Sequence, residues 1–267
     1  MKQRGRQRPP VLLIALAALG LGFSLLPLTA LLLRLPWTRL PAILARPALQ
    51  EAWWLSLETA SLSALVALTL GLPLAWVLAR WHLPGRGLLK ALCSLSLVLP
   101  PVVGGVALLL ALGRRGLLGQ WLDAAFGISL PFSPAAVVLA QTYVALPFMV
   151  LTLEAGIRGL DPRLEEAASC LGASPWTCFR RVSLPALRPA LLAGLVLSWA
   201  RALGEFGATI TFAGNSPGRT QTLPLAIYLA MEQDPDAALA MSLLLMGASL
   251  AVLLLLRDRW WGRAVAP

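Results

Sequence analysis

Residues 161–185 read Asp161-Pro-Arg-Leu-Glu-Glu-Ala-Ala-Ser-Cys-Leu-Gly-Ala-Ser-Pro-Trp-Thr-Cys-Phe-Arg-Arg-Val-Ser-Leu-Pro185, a polar island between two long apolar runs. The stretch carries its own helix punctuation. Asp161 supplies an N-cap oxygen, and Pro162 suits the first helical position, where no backbone N–H is needed. Leu164, Ala167, Ala168 and Leu171 fall at i, i+3, i+4 and i+7, one face of a short helix. Gly172 is placed to close that helix in a left-handed conformation, and Ser174-Pro175 to cap and open a second. A helical loop with a small-residue face, held between apolar segments, is built to dock onto something.

The surrounding chain defines where that docking takes place. Of 267 residues, 58% are hydrophobic and only 13% charged, against roughly 25% charged in soluble domains. Several apolar runs reach the ~20 residues that cross a ~30 Å hydrocarbon core, so the chain reads as an all-α integral membrane protein. Six spans are expected, at about Val11–Leu33, Trp53–Ala79, Ala91–Leu112, Ala135–Gly156, Ala186–Phe212 and Ala237–Leu256. The first, after basic Lys2, Arg4, Arg6 and Arg8, is longer than a signal-peptide core and is expected to be a retained span in contact with lipid. Residues 1–10 read as a basic cytoplasmic N-terminus and 11–267 as one transmembrane domain.

The net charge of +10 does not mark a nucleic-acid binder, because Lys and Arg gather in loops beside apolar spans and no aromatic-basic groove pattern occurs. Fifteen of the 22 lie on the side that carries both termini and the 158–185 loop. Six lie on the other side, and Arg201 falls within the fifth span. The positive-inside bias therefore predicts cytoplasmic termini and a cytoplasmic loop. Cys93, Cys170 and Cys178 form no even framework, and with His82 as the one histidine there is little to build a Cys/His metal site. His82 reads as a solvated loop residue.

Within the spans, Pro100-Pro101 and Gly104-Gly105 predict a break in the third, and Pro147 an interruption of the fourth. Residues 116–133, with Trp121, Phe126 and Phe132, are expected along the outer interface. Glu58 and Glu154 sit near span ends, where snorkelling suffices to explain them. The fifth span is the polar one. Arg201 and Glu205 are four apart and can pair, either fixing helix packing or lining a path. Gly204 and Gly207 allow close packing or unwinding, and Thr209 and Thr211 add hydroxyls. A turn at Ser216–Thr220 and a short amphipathic helix from Leu223 to Met231 follow.

Enzyme readings find no support. Neither Lys2 nor Lys90 ends a phosphate-binding Gly-x-x-x-x-Gly-Lys loop, and no nucleophile elbow or zinc helix is present. No catalytic, metal-ligating or cofactor-binding residue is assigned. Uphill transport would draw its energy from a partner or from an ion gradient.

Glu166-Ala167-Ala168, three residues, Gly172, nine residues, Val182, one residue and Leu184-Pro185 resemble the signature cytoplasmic loop of ATP-binding-cassette import permeases, with Val182 where the family usually has Ile. The resemblance covers the chain from the second span onward. It implies a six-helix type I importer permease (MetI-like) fold, with Glu166, Ala167, Ala168, Gly172, Leu184 and Pro185 at the contact with a separate ATPase. Residues 201–215 and 217–224 resemble molybdate permeases, and sulfate/thiosulfate permeases share the Gly204-Glu205-Phe206-Gly207 core. The resemblance implies a homodimer in the bacterial inner membrane with two ATPase copies, which bind ATP and magnesium, and an oxyanion-binding protein on the outer face. Arg201, Gly204, Glu205, Gly207, Thr209 and Thr211 are then candidates for the translocation path or gate. A sulfate permease and an ion-gradient-driven carrier remain the alternatives.

Overall fold

A computed structural model describes residues 10–81 and 83–261. The basic residues 1–9, His82 and residues 262–267 lie outside the described residues, as do the expectations attached to them. In chain order the helices are α1 (Val11–Leu33), α2 (Leu40–Leu44), α3 (Pro47–Arg80), α4 (Arg86–Cys93), α5 (Leu95–Val98), α6 (Pro101–Leu112), α7 (Gly119–Phe126) and α8 (Pro134–Arg158). They continue with α9 (Pro162–Cys170), α10 (Pro175–Cys178), a π-turn at Phe179–Ser183, α11 (Leu184–Ala186), α12 (Arg188–Leu203), α13 (Gly207–Ala213), α14 (Leu223–Gln233) and α15 (Pro235–Trp261). Among the described residues, α1, α3, α8 and the Pro235–Val252 part of α15 are each long and apolar enough to cross a membrane. The residues of the other two expected spans fold as shorter helices, α4–α6 and α12–α13. α1 buries none of its residues, consistent with lipid contact.

The centre of the bundle is α8 packed between α3 and α12. Small residues let the backbones approach. A Cβ on Gly71 of α3 would lie 2.8 Å from Met149 Cγ, and one on Gly194 of α12 would lie 2.8 Å from Met149 Sδ. Met149, fully buried on α8, therefore fills the space that two glycines leave. α3 and α8 run in the same direction, with Ala60 beside Ala145 and Ala75 and Leu78 beside Leu153 and Ile157. α12 runs against them. Its Ser198 Oγ donates to the Ala145 carbonyl at 3.3 Å, and its Trp199 Nε1 donates to Ser61 Oγ of α3 at 3.1 Å.

The third span breaks at Leu99–Pro100, as its sequence predicts. The fourth does not break: α8 continues through Pro147 to Arg158. Proline at 147 has no N–H for the carbonyl of Tyr143, one turn earlier. Ser96 Oγ of α5 donates to that carbonyl at 3.1 Å, so the helix continues with its acceptor satisfied from a neighbour. Trp121, Phe126 and Phe132 are exposed around α7. The turn at 216–220 and the helix after it form, and the helix extends to Gln233.

Candidate functional site

The residues singled out in the sequence fall into two groups, at the two ends of α12. Sixteen residues of helix put these ends about 24 Å apart.

The first group is the hairpin of α9 and α10. Asp161 Oδ1 accepts from the Arg163 N–H at 3.0 Å, and Ser174 Oγ from the Thr177 N–H at 3.3 Å, so both caps form as the sequence dictates. Gly172 has φ +83°, the left-handed conformation a side chain disfavours. The chain then shifts into a π-turn whose Leu184 N–H reaches the Phe179 carbonyl. Pro185 explains the shift, because it cannot donate to the carbonyl four residues back. The segment 175–186 meets α12 at 67°.

Glu166, Ala167 and Gly172 are exposed, and Ala168, Leu184 and Pro185 are half-buried. Leu164 and Leu171 are 51% and 89% exposed, so the apolar face of α9 turns outward and not into the protein's own core. The inward contact comes from Glu165, the neighbour of the residue the sequence pattern marks. Its Oε1 accepts from Arg80 Nη2 at 2.8 Å and from Ser183 Oγ at 2.7 Å. Trp76 of α3 meets Phe179 edge-on at 5.0 Å between ring centres, and Trp176 stacks on Phe179 at 5.5 Å.

Glu154 departs from the sequence expectation. It is 2% exposed and so does not snorkel to an interface; it accepts from Arg158 at 2.6 Å and from Lys90 at 2.8 Å, with Arg86 at 3.5 Å. A carboxylate this deep is stable only with such partners. Its i, i+4 spacing to Arg158 was a readable signal, whereas Lys90 and Arg86 come from α4. Glu58 is exposed, eleven residues into α3.

The second group surrounds the break between α12 and α13. Arg201 Nη1 and Glu205 Oε2 are 2.7 Å apart, and Glu205 is 1% exposed. The other carboxylate oxygen accepts from the Ala208 N–H at 2.7 Å, in the first turn of α13. Glu205 thus joins the last turn of one helix to the first turn of the next, with its negative charge at the favourable N-terminal end. Helical structure lapses at Gly204, which is exposed; a Cβ there would meet only the Ala200 carbonyl oxygen at 3.8 Å, so it takes no part in close packing. Gly207 has the packing role: a Cβ there would lie 2.9 Å from Pro101 Cβ. Thr211 Oγ1 donates back to the Gly207 carbonyl at 2.8 Å, and Thr209 is fully buried. Phe206, inside the break, lies 5.3 Å from Tyr228 and lines with it a groove of about 630 Å³.

Comparison with known proteins fits this arrangement. Residues 67–263 match the family described as binding-protein-dependent transport system inner membrane component. The molybdenum transport system permease protein ModB of Mycobacterium tuberculosis is 51% identical over 240 residues, 89% of this chain and 90% of that protein. The sulfate transport system permease protein CysT of Escherichia coli is 37% identical over 233 residues, 86% of this chain and 84% of that one. In fold, the chain is similar to a bacterial alginate ABC transporter crystallised with an alginate pentasaccharide-bound periplasmic protein. The TM-score is 0.68 at 17% identity, over 95% of this chain and 94% of the other. The family match takes in both the hairpin and the broken fifth span, and the chain belongs to the binding-protein-dependent transport system inner membrane components.

Proposed function

We propose that this chain is the permease subunit of an ATP-driven importer of molybdate, with tungstate as a second substrate. Two copies of the chain form the pathway, two copies of a separate ATPase subunit bind ATP and magnesium, and a binding protein on the outer face delivers the oxyanion. Both termini and the 158–185 loop lie in the cytoplasm, a placement supported by the excess of Lys and Arg on that side.

The observation that carries this reading is the outward-facing surface of α9. Glu166, Ala167, Leu164 and Leu171 are exposed on a hairpin that is fastened by its opposite side to the end of α3. Small side chains allow a partner to approach closely, and two unpartnered leucines give it apolar surface to cover. Closure of the ATPase dimer draws the two hairpins together and swings the helices between inward- and outward-open states. The choice of molybdate is supported by the relative named for molybdenum transport, which is more similar than the one named for sulfate.

The test is uptake into vesicles that hold the permease, the ATPase and the binding protein, with molybdate, tungstate and sulfate compared. Molybdate and tungstate are expected to stimulate hydrolysis and to accumulate only when the ATPase is present. Stimulation by sulfate alone assigns the chain to sulfate instead, and uptake driven by an ion gradient without the ATPase makes it a carrier.

A further inference from the structure

We infer that Glu165 is the positioning residue that transmits movement of the docking hairpin to α3; this rests on the hairpin's being the ATPase dock. Glu165 and Glu166 are neighbours on one helix turn, about 100° apart in direction. Glu166 faces out, whereas one oxygen of Glu165 holds both Arg80, the last residue of α3, and Ser183, in the return segment of the hairpin. Ser183 is 2% exposed, and the Cys178 thiol, also buried, lies 3.9 Å from the Glu165 carbonyl. A single residue thus ties together α9, the return segment and the long helix.

Packing alone does not fix the hairpin on α3. A groove of about 870 Å³ lies between them, walled by Leu68, Leu72 and Trp76 on one side and Trp176 and Phe179 on the other. Across this groove the orientation of α9 depends on discrete contacts, the Arg80–Glu165–Ser183 bridge and the Trp76–Phe179 edge contact. Arg80 also lies 5.6 Å from the Trp76 ring centre, so the ionic and aromatic contacts share one anchor. Force applied to the outer face of α9 reaches the bundle through that anchor.

The experiment uses the assembled complex in vesicles. The variants are Glu165→Ala, Arg80→Ala and the double variant, and the readout is oxyanions moved per ATP hydrolysed, per assembled complex. Each single variant is expected to lower that ratio about tenfold, within the span of ordinary coupling free energies. The double variant is expected to fall no further, because one bridge is lost in all three. A second readout needs no transport: the distance between spin labels on native Cys170 and on Trp81→Cys, with Cys93 replaced by Ser. Both labelled positions are exposed. The distance distribution is expected to broaden in each variant. An unchanged distribution overturns the inference, and so does a loss of uptake and hydrolysis in equal proportion. If instead Glu166→Arg leaves transport intact, the docking reading falls, while the label distances still decide whether Glu165 sets the hairpin's orientation.

Discussion

At each end of α12 a helical run is interrupted, and at each interruption a glutamate ties the pieces together. Glu205, at the α12–α13 break, is 1% exposed and uses both oxygens, one on Arg201 and one on a backbone N–H. Glu165, at the hairpin, is 25% exposed and uses one oxygen for two side-chain donors. The same device serves different ends in the two settings. In the interior, removing Arg201 strands the desolvated Glu205 carboxylate, so the pair is strongly held and the local structure is fixed. Near the surface, water replaces a lost partner at modest expense, and the contact is free to act as a transmitting link.

Glu205→Ala strains the comparison most. It leaves the buried Ala208 N–H without its acceptor and Arg201, 27% exposed, without its anion, and it is expected to destabilise by up to about 3 kcal/mol. Thermal unfolding in detergent measures this, and adding Arg201→Leu is expected to recover part of the loss. A Glu165→Ala shift as large as that of Glu205→Ala would break the contrast.

Gly172→Pro comes next. Proline cannot adopt φ +83°, so the turn between the two short helices is lost, with a strain of about 1–3 kcal/mol confined to the hairpin. Glu166→Arg leaves the turn intact and alters the outward face alone. Both are expected to abolish transport-coupled hydrolysis while membrane insertion and the bundle's melting temperature stay near wild type. Co-purification with the ATPase and a melting curve separate the two effects.

Ser96→Ala probes an interior contact made with a neutral group. It strands the Tyr143 carbonyl that Pro147 has freed, and about 1–3 kcal/mol is expected to be lost. Pro147→Ala in the same background restores the helix's own donor and is expected to recover most of the loss.

The smallest effect lies at Asp234, which accepts from Arg46 where α14 meets α15. The Arg46 hydrogen bond, then that of the Ala237 N–H, holds the Asp234 carboxyl below its ordinary value. A depressed folded value means a contribution present above the unfolded pKa and lost as pH falls through the folded one. Asp234→Asn is therefore expected to lower neutral-pH stability slightly, to leave stability at low pH unchanged, and so to flatten the acid-side slope below the ordinary value of 3.8. Melting temperature against pH measures it.

Much of the hairpin was legible because its signals are local. Asp161, Pro162, Gly172 and Ser174 each act within one turn, and each takes the conformation its chemistry favours. The Arg201–Glu205 pair was legible for the same reason, its partners being four residues apart. Glu165 was not legible, because nothing in a Glu-Glu dipeptide says which side chain faces the bundle. Gly204 and Gly207 look alike in sequence, yet one has room for a side chain and the other sits against Pro101.

The sequence by itself determined that the chain lies in a membrane, where the caps of the hairpin fall, and which loop carries the docking pattern. Composition, apolar run length, caps and breakers act over one or two turns and need no distant partner. Only the tertiary structure decided that Pro147 leaves α8 continuous, that Glu154 is buried among three cations, and that Glu165 holds the hairpin to α3. Each outcome turns on a donor from another helix: Ser96 47 residues from Tyr143, Lys90 on α4, Arg80 85 residues from Glu165. Local sequence fixes which groups need partners, and the packing of helices fixes which partners they find.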